Sequence, residues 1–323
     1  MKTWIWPAPS AAEAGPLQRR LGQDRLRRRL ALEHEQDEHH YRRRADAFRP
    51  EHLASAGPLI TAALTLTGLR GRARRNARAI RLRRHEVALR HLPWAFDGYT
   101  LLQLSDLHLD ASTEHAAALA EAVRGVACDA CVLTGDYRFA TGGTCEPAIA
   151  ALARLVPALP HPAYAVLGNH DGIAIAAALE RLGVHVLMNE RLAIDRPGGQ
   201  LAIAGIDDAH YFRTHDVARA AQGLGPDACA VLLSHTPQPY QEAAAQGFAL
   251  MLCGHTHGGQ ICLPGGLPIL TDCPAPRWTA RGAWRHGAMQ GYTSAGCGSS
   301  IVEARLFCPP EIVLHTLRRA PTA

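Results

Sequence analysis

Aspartate, asparagine and histidine gather in five short stretches, each at the end of an apolar run. "QLSDLHLD" ends in Asp106 and His108, "VLTGDYR" in Asp136, and "VLGNHD" in Asn169, His170 and Asp171. "LLSHTP" ends in His235, and "LCGHTHGG" in His255 and His257. Two aspartates, one asparagine amide and four histidines make a donor set of hard oxygen and imidazole without thiolate, which suits Mn, Fe or Zn. Seven such ligands with one shared carboxylate suit two divalent metal ions, which catalytic sites hold about 3.5–4 Å apart. The pairs Asp106/His108 and His255/His257 are spaced i, i+2, which in extended backbone turns both side chains to one side. Glycines at 135, 168, 254, 258 and 259 would let the chain turn sharply and approach a ligand. One buried histidine is more often a paired core residue than a ligand. Five such stretches are hard to credit to packing alone.

The elements that must position them begin near His85. "HEVALRHL" alternates as a strand, and "YTLLQLSDLHLD" starts with a buried one. Strands then alternate with alanine-rich helices: "EHAAALAEAVRGV", "AIAALARLVPAL" and "IAAALERLG" read as helices. "DACVLTGD", "AYAVLGNHD", "QLAIAGIDD", "ACAVLLSHTP" and "FALMLCGHTH" read as strands. This alternation predicts an α/β sandwich with largely buried sheets. In open α/β sheets the carboxyl ends of the strands gather at one rim, where ligands bind.

The first 79 residues have another texture. They hold 16 Lys/Arg against 8 Asp/Glu, whereas the remainder carries a net charge of −3. Residues 17–48 read as a charged helix with leucines at 17, 21, 26, 30 and 32 on a loose stripe and charges elsewhere. His39 and His40 are adjacent, point about 100° apart on a helix, and are expected to be exposed. Arg49-Pro50 and Gly57-Pro58 are expected to break the helix. "GRARRNARAIRLRR" is a basic linker or a further helix. The division expected is a basic, mostly helical extension over 1–79 and a catalytic domain over 80–323. "PLITAALTLTGL" (Pro58–Leu69) is shorter than the ~20 residues of a spanning helix. Packing on the main domain is the plainer expectation, and basic flanks leave peripheral membrane contact open. "MKTWIWPAPSAAEAGPLQRR" lacks the apolar centre of a secretory signal. Nine cysteines without repeated spacing fit reduced thiols of a cytoplasmic protein, and the Cys128/Cys131 pair has no zinc-ribbon partner.

The order DxH, GD, GNHD, isolated His and GHTH, over roughly residues 85–318, resembles the calcineurin-like metallophosphoesterases. The longer "GHTHGGQI", with "GYTSAGCGSS" and "CPPEIVLHTL", resembles a bacterial branch that includes membrane-associated phosphodiesterases and enzymes cleaving UDP-diacylglucosamine. The resemblance implies a four-layer α/β/β/α sandwich with two divalent metal ions at the strand ends. One metal would take Asp106, His108 and His257, the other Asn169, His235 and His255, with Asp136 bridging. His170 matches the histidine that contacts the leaving oxygen or the phosphate, and Asp171 would orient a neighbour. Relatives often carry a carboxylate where this chain has Phe139.

A hydroxide shared by the two metals would attack phosphorus in line, with His170 donating to the departing oxygen. The substrate expected is a phosphodiester or pyrophosphate, lipid- or nucleotide-linked. A phosphomonoesterase and a binding module without chemistry are the rivals. Arg277, Arg281 and Arg285 are equally substrate-phosphate partners or surface charge. The location expected is the cytoplasm, with contact at the inner membrane open.

Overall fold

The computed structural model describes the backbone of residues 17–45, 53–271 and 273–321, and side chains of 17–35, 57–271 and 273–321. "TLLQL", "ACVL", "AVLL" and "LMLC" become strands β2 (Thr100–Leu104), β3 (Ala130–Leu133), β8 (Ala230–Leu233) and β9 (Leu250–Cys253). Nearly every residue in them is buried, because each sheet is covered on both faces. β1 is Arg81–Leu89, β4 Ala163–Ala165, β5 His185–Val186, β6 Glu190–Arg196, β7 Gly199–Gly205, β12 Gly282–His286, β13 Met289–Thr293 and β14 Glu311–Arg319. They build two six-stranded sheets, in the orders β1-β14-β2-β3-β4-β5 and β12-β13-β9-β8-β7-β6. β2, β3, β4 and β5 run parallel, as do β7, β8, β9 and β13.

Alternation along the strands divides the core into layers. Leu101, Val132, Ile203, Val231, Leu252 and Val313 meet between the sheets. Leu102, Leu104, Cys131 and Leu133 face the other way, onto helices α4 (Thr113–Val123), α5 (Glu146–Leu155) and α6 (Ile173–Arg181). Ala204, Leu232, Met251 and Cys253 turn outward to α7 (Val217–Ala220) and α8 (Tyr240–Ala245). The result is a four-layer α/β/β/α sandwich. In register, Leu104 pairs with Leu133, Leu133 with Ala165, and Leu233 with both Gly205 and Leu252. Aligned strand ends therefore release their loops at one rim.

Among the described residues a helical turn at 17–21 and the helices α1 (Gln23–Ala45), α2 (Leu53–Leu66) and α3 (Arg70–Arg78) precede β1. Leu17, Leu21 and Leu26 are buried in the core of the first sheet. Arg29 departs from the expected charged outer face: it is 2% exposed, bonded to Asp207 and Glu33. α2 runs through Gly57 and Pro58, contrary to the expected break. A proline removes one amide donor, and the apolar residues after it still gain by packing: Leu64 is buried with Ala73, Ala304 and Leu306. The basic stretch after Arg70 is helical up to Arg78, with Arg74 and Arg78 paired to Glu303. Arg49-Pro50 lies outside the described residues, as do the side chains of His39 and His40. Among the described residues no helix is long and apolar enough to cross a membrane.

Candidate metal centre

The five polar stretches meet at the rim. Asp106 follows β2 by two residues, Asp136 follows β3 by three, Asn169 follows β4 by four, and His235 and His255 follow β8 and β9 by two. Among the described residues three groups could hold a metal ion: Asp106–His108–His257, His108–Asp136–His170 and Asp136–His235–His255. Asp136 and His108 each join two of the groups.

The backbone that delivers these side chains is not extended, contrary to the expectation from the i, i+2 spacing. φ is +52° at Asp106, +43° at His108, +57° at Asp136, +72° at His255 and +49° at His257. A left-handed conformation costs a non-glycine residue roughly 1–3 kcal/mol and persists only where the surroundings over-determine it. Here they do. The Asp106 N–H donates to Gly135 O at 2.9 Å, and the His108 N–H to Asp136 O at 3.0 Å. Gly135, Gly258 and Gly259 turn the chain at positive φ, as expected, while Gly168 and Gly254 serve in another way. A Cβ on Gly168 would lie 2.1 Å from Asp136 Oδ1, and one on Gly254 2.4 Å from Asp106 Oδ2. Both make room for the carboxylates of the site.

Hydrogen bonds set the ring tautomers. His108 Nδ1–H donates to Arg138 O at 2.5 Å, and His235 Nδ1–H to Thr134 O at 2.8 Å, since a carbonyl only accepts. His108 Nε2 is thereby left with its lone pair, 3.2 Å from His257 Nε2. Burial pushes the His108 ring down to about 3 and His257 well below the usual histidine range, so both are neutral donors at neutral pH. On the other side, Asn169 Oδ1, Asp136 Oδ2 and His255 Nδ1 lie 3.0, 3.2 and 3.2 Å from His235 Nε2. Two oxygens and a ring nitrogen crowd one nitrogen. Burial works against a charge on His235, but the charge of Asp136 and its hydrogen bond prevail and raise the ring to about 10. Burial likewise opposes ionisation of Asp136, yet His170 and His235 hold it well below the usual carboxylate range. Burial, then the charge of Asp136, raises Asp106 to about 6. Converging lone pairs that demand a positive charge fit a divalent cation, and Asp106, His108, Asp136, Asn169, His235, His255 and His257 could all contribute to holding one.

His170 stands at the edge. Its Nδ1–H donates to Phe139 O at 2.7 Å, its N–H to Asp136 Oδ1 at 3.0 Å, and its Nε2 is 3.7 Å from Asp136 Oδ2. Phe139 thus places His170 by its carbonyl, whatever its side chain. Asp171 belongs to none of the three candidate groups and accepts four backbone N–H groups. Arg277 and Arg285 are exposed and donate to the carbonyls of Pro268 and Gly287, while Arg281 lies against the turn at Gly258.

Three contributors escaped the sequence reading. The His210 ring sits 4.4 Å from the His255 ring, with Nδ1 2.8 Å from Gln238 Oε1. It follows the end of β7 in "GIDDAH", so the strand-end rule that found the others applies to it too. Arg305 is fully buried behind His257, donating to its carbonyl at 3.2 Å, with Nη2 3.3 Å from its Nδ1. Arg29 donates to the carbonyl of Asp171 at 2.8 Å. Neither arginine has a local signal that separates it from the many others in the chain.

The family model described as Calcineurin-like phosphoesterase matches residues 99–259, from β2 to the end of the histidine turn. A metallophosphoesterase of Aquifex aeolicus is 30% identical over 203 residues, 59% of this chain and 73% of that one. The uncharacterized metallophosphoesterase YkuE of Bacillus subtilis is 29% identical over 274 residues, covering 81% and 94%. Phosphodiesterase YaeI of Escherichia coli is 30% identical over 167 residues, covering 48% and 58%. The chain belongs to the calcineurin-like metallophosphoesterases. It is a metal-dependent hydrolase of phosphoric esters.

Proposed function

We propose that the chain hydrolyses phosphodiester or pyrophosphate bonds at two divalent metal ions, Mn, Fe or Zn, bridged by Asp136. The observation that carries this reading is the pair of donor groups on either side of Asp136, Asp106–His108–His257 and Asp136–His235–His255, with the Asn169 amide completing the second. Bound divalent ions supply an activated water and neutralise charge on the phosphoryl oxygens. The residues of the chain do the rest. Asp136, fixed by its neighbours, centres the site. His170 Nε2 faces that centre while Nδ1 is anchored, the arrangement of a group that donates to a departing oxygen. The likeness to phosphodiesterase YaeI of Escherichia coli supports a diester substrate.

Residues 80–323 would form the catalytic unit, with 1–79 as its helical, basic extension. Leu59 and Leu66 on α2, 74% and 89% exposed, beside the arginines of α3, support peripheral contact with an anionic membrane from the cytoplasmic side. Sedimentation with phosphatidylglycerol vesicles, weakened by salt and by Leu66→Glu, checks that contact.

Hydrolysis of bis-p-nitrophenyl phosphate against p-nitrophenyl phosphate, with Mn²⁺, Fe²⁺ or Zn²⁺ and with chelator, tests the chemistry. Diester turnover that needs metal and disappears in Asp136→Ala supports the reading. A preference for the monoester would make the protein a phosphomonoesterase. Metal binding without turnover on lipid-linked, nucleotide-linked or model substrates would make it a binding module.

A further inference from the structure

Two thiols meet behind the histidine turn. Cys262 opens the short strand β10 (Cys262–Leu263), and Cys308 precedes β14. Both are buried, 3% and 0% exposed, and they pack in one small cluster with Ala295. Their sulfurs lie 3.3 and 3.5 Å from one acceptor, the carbonyl of Gly258, and Cys308 also donates to His257 O at 3.3 Å. The backbone brings them together independently of the side chains: Ile261 bridges Leu306 in parallel, and the Cys262 N–H donates to Leu306 O at 2.9 Å. Arg305 Nη1 is 3.8 Å from the Cys308 sulfur, so a cation stands beside the pair. All nine cysteines are free thiols.

We propose that Cys262 and Cys308 form a reversible disulfide on exposure to hydrogen peroxide, and that this bond disables the site by displacing His257. One sulfur attacks the peroxide, the O–O bond breaks, and a sulfenic acid forms with loss of one water. The second sulfur then attacks the sulfenic sulfur, the S–S bond forms and a second water leaves. The two thiols lose two electrons and two protons, and the peroxide is reduced to two waters. A disulfide has no S–H to donate. The carbonyls of His257 and Gly258 therefore lose their thiol donors as covalent closure draws the sulfurs together. Both belong to the turn that carries His257 at φ +49° and Gly258 at φ +57°.

The crosslink stands on geometry alone, and its effect on turnover rests on the reading of His257 as a metal ligand. The full-length, metal-loaded protein is treated with hydrogen peroxide, and peptides are mapped by mass without reduction. A Cys262–Cys308 peptide two mass units lighter than its reduced parts is expected. Activity and metal retention should fall together, by roughly 100-fold for a ligand displaced by an ångström, and return with dithiothreitol. Cys262→Ser and Cys308→Ser should each keep activity through the same treatment. Absence of the crosslinked peptide while other thiols oxidise overturns the proposal. So does a crosslink that leaves metal content unchanged. Because the peptide map and metal analysis need no substrate, a wrong assignment of the reaction cannot be mistaken for either result.

Discussion

The carboxylate of Asp171 accepts the backbone N–H of Asp136 at 2.7 Å, and thereby holds the peptide on which the central aspartate is mounted. The same carboxylate takes the N–H groups of Tyr137 at 3.0 Å and Gly168 at 2.9 Å, so it ties the loop after β3 to the loop after β4. Asp171→Asn turns an amide donor toward these N–H groups. Each buried donor left unpaired costs about 1–3 kcal/mol. We expect lower stability in urea and a loss of metal affinity or activity of about 10–100-fold, as for groups that orient metal ligands. A variant that retains full metal affinity would show that the Asp136 peptide needs no such clamp.

Removal of Asp136 should act on metal content before it acts on anything else. It lies in two of the three candidate ligand groups and pairs with His235. Metal analysis after dialysis should find close to two ions per wild-type chain and fewer than one in Asp136→Ala. Equal content in both would remove Asp136 from the bridging position.

How far the site was legible follows from which forces set it. The strand ends announced themselves because runs such as "AVLL" and "LMLC" are buried on both faces, so the first polar residue marks the rim. The loop conformations did not. The positive φ of Asp106 and Asp136 is imposed by contacts across the sheet to residues about thirty positions away, which no local pattern encodes. The same holds for α1. Its leucine stripe was visible, and Glu33 is the i+4 neighbour of Arg29 on the same helix, but burial of Arg29 depends on Asp207, which meets it from the loop after β7.

His170 should matter most when the leaving group is poor. With Nδ1 bound to Phe139 O, only Nε2 can give a proton to a departing oxygen. General acid catalysis is worth typically 10²–10⁴-fold, and less when the leaving group needs no help. His170→Asn should therefore lower kcat strongly on an alkyl phosphodiester and only weakly on a p-nitrophenyl ester. An equal loss on both would assign His170 to phosphate binding. Phe139→Leu, which keeps the carbonyl, should change kcat little.

Away from the rim, His315 and His85 give the protein an acid-sensitive core. Gln103 Nε2 donates to Thr134 Oγ1 and Cys253 O, so its Oε1 accepts from His315 Nε2–H at 2.9 Å. His315 Nδ1 must then accept from His85 Nδ1–H, also at 2.9 Å. Burial holds the His315 ring well below the usual histidine range. The unfolded chain binds this proton near pH ~6.5 and the folded chain does not, so stability is unaffected above that pH and falls as pH drops through it. The His315 ring carbon resonances should stay fixed between pH 7 and 5 while the protein remains folded. A midpoint near 6.5 would mean that the ring is solvated.

The N-terminal helix should prove a working part of the domain. Arg29 donates to Asp207 through Nε at 3.1 Å and to the Asp171 carbonyl through Nη2 at 2.8 Å, forms an ion pair with Glu33 at 3.0 Å, and lays its guanidinium 3.3 Å above the Phe212 ring. Glu33 in turn accepts the N–H of Ile173 at the start of α6 at 2.9 Å. One arginine thus joins α1 to the loops that follow β4 and β7. Arg29→Met leaves Asp207 buried and short of its cation, a change that costs about 3–5 kcal/mol in comparable pairs. Urea unfolding should show that loss, with Asp207→Asn in the same background recovering part of it. A change below about 1 kcal/mol, the size of an exposed pair, would make α1 a loosely held appendage.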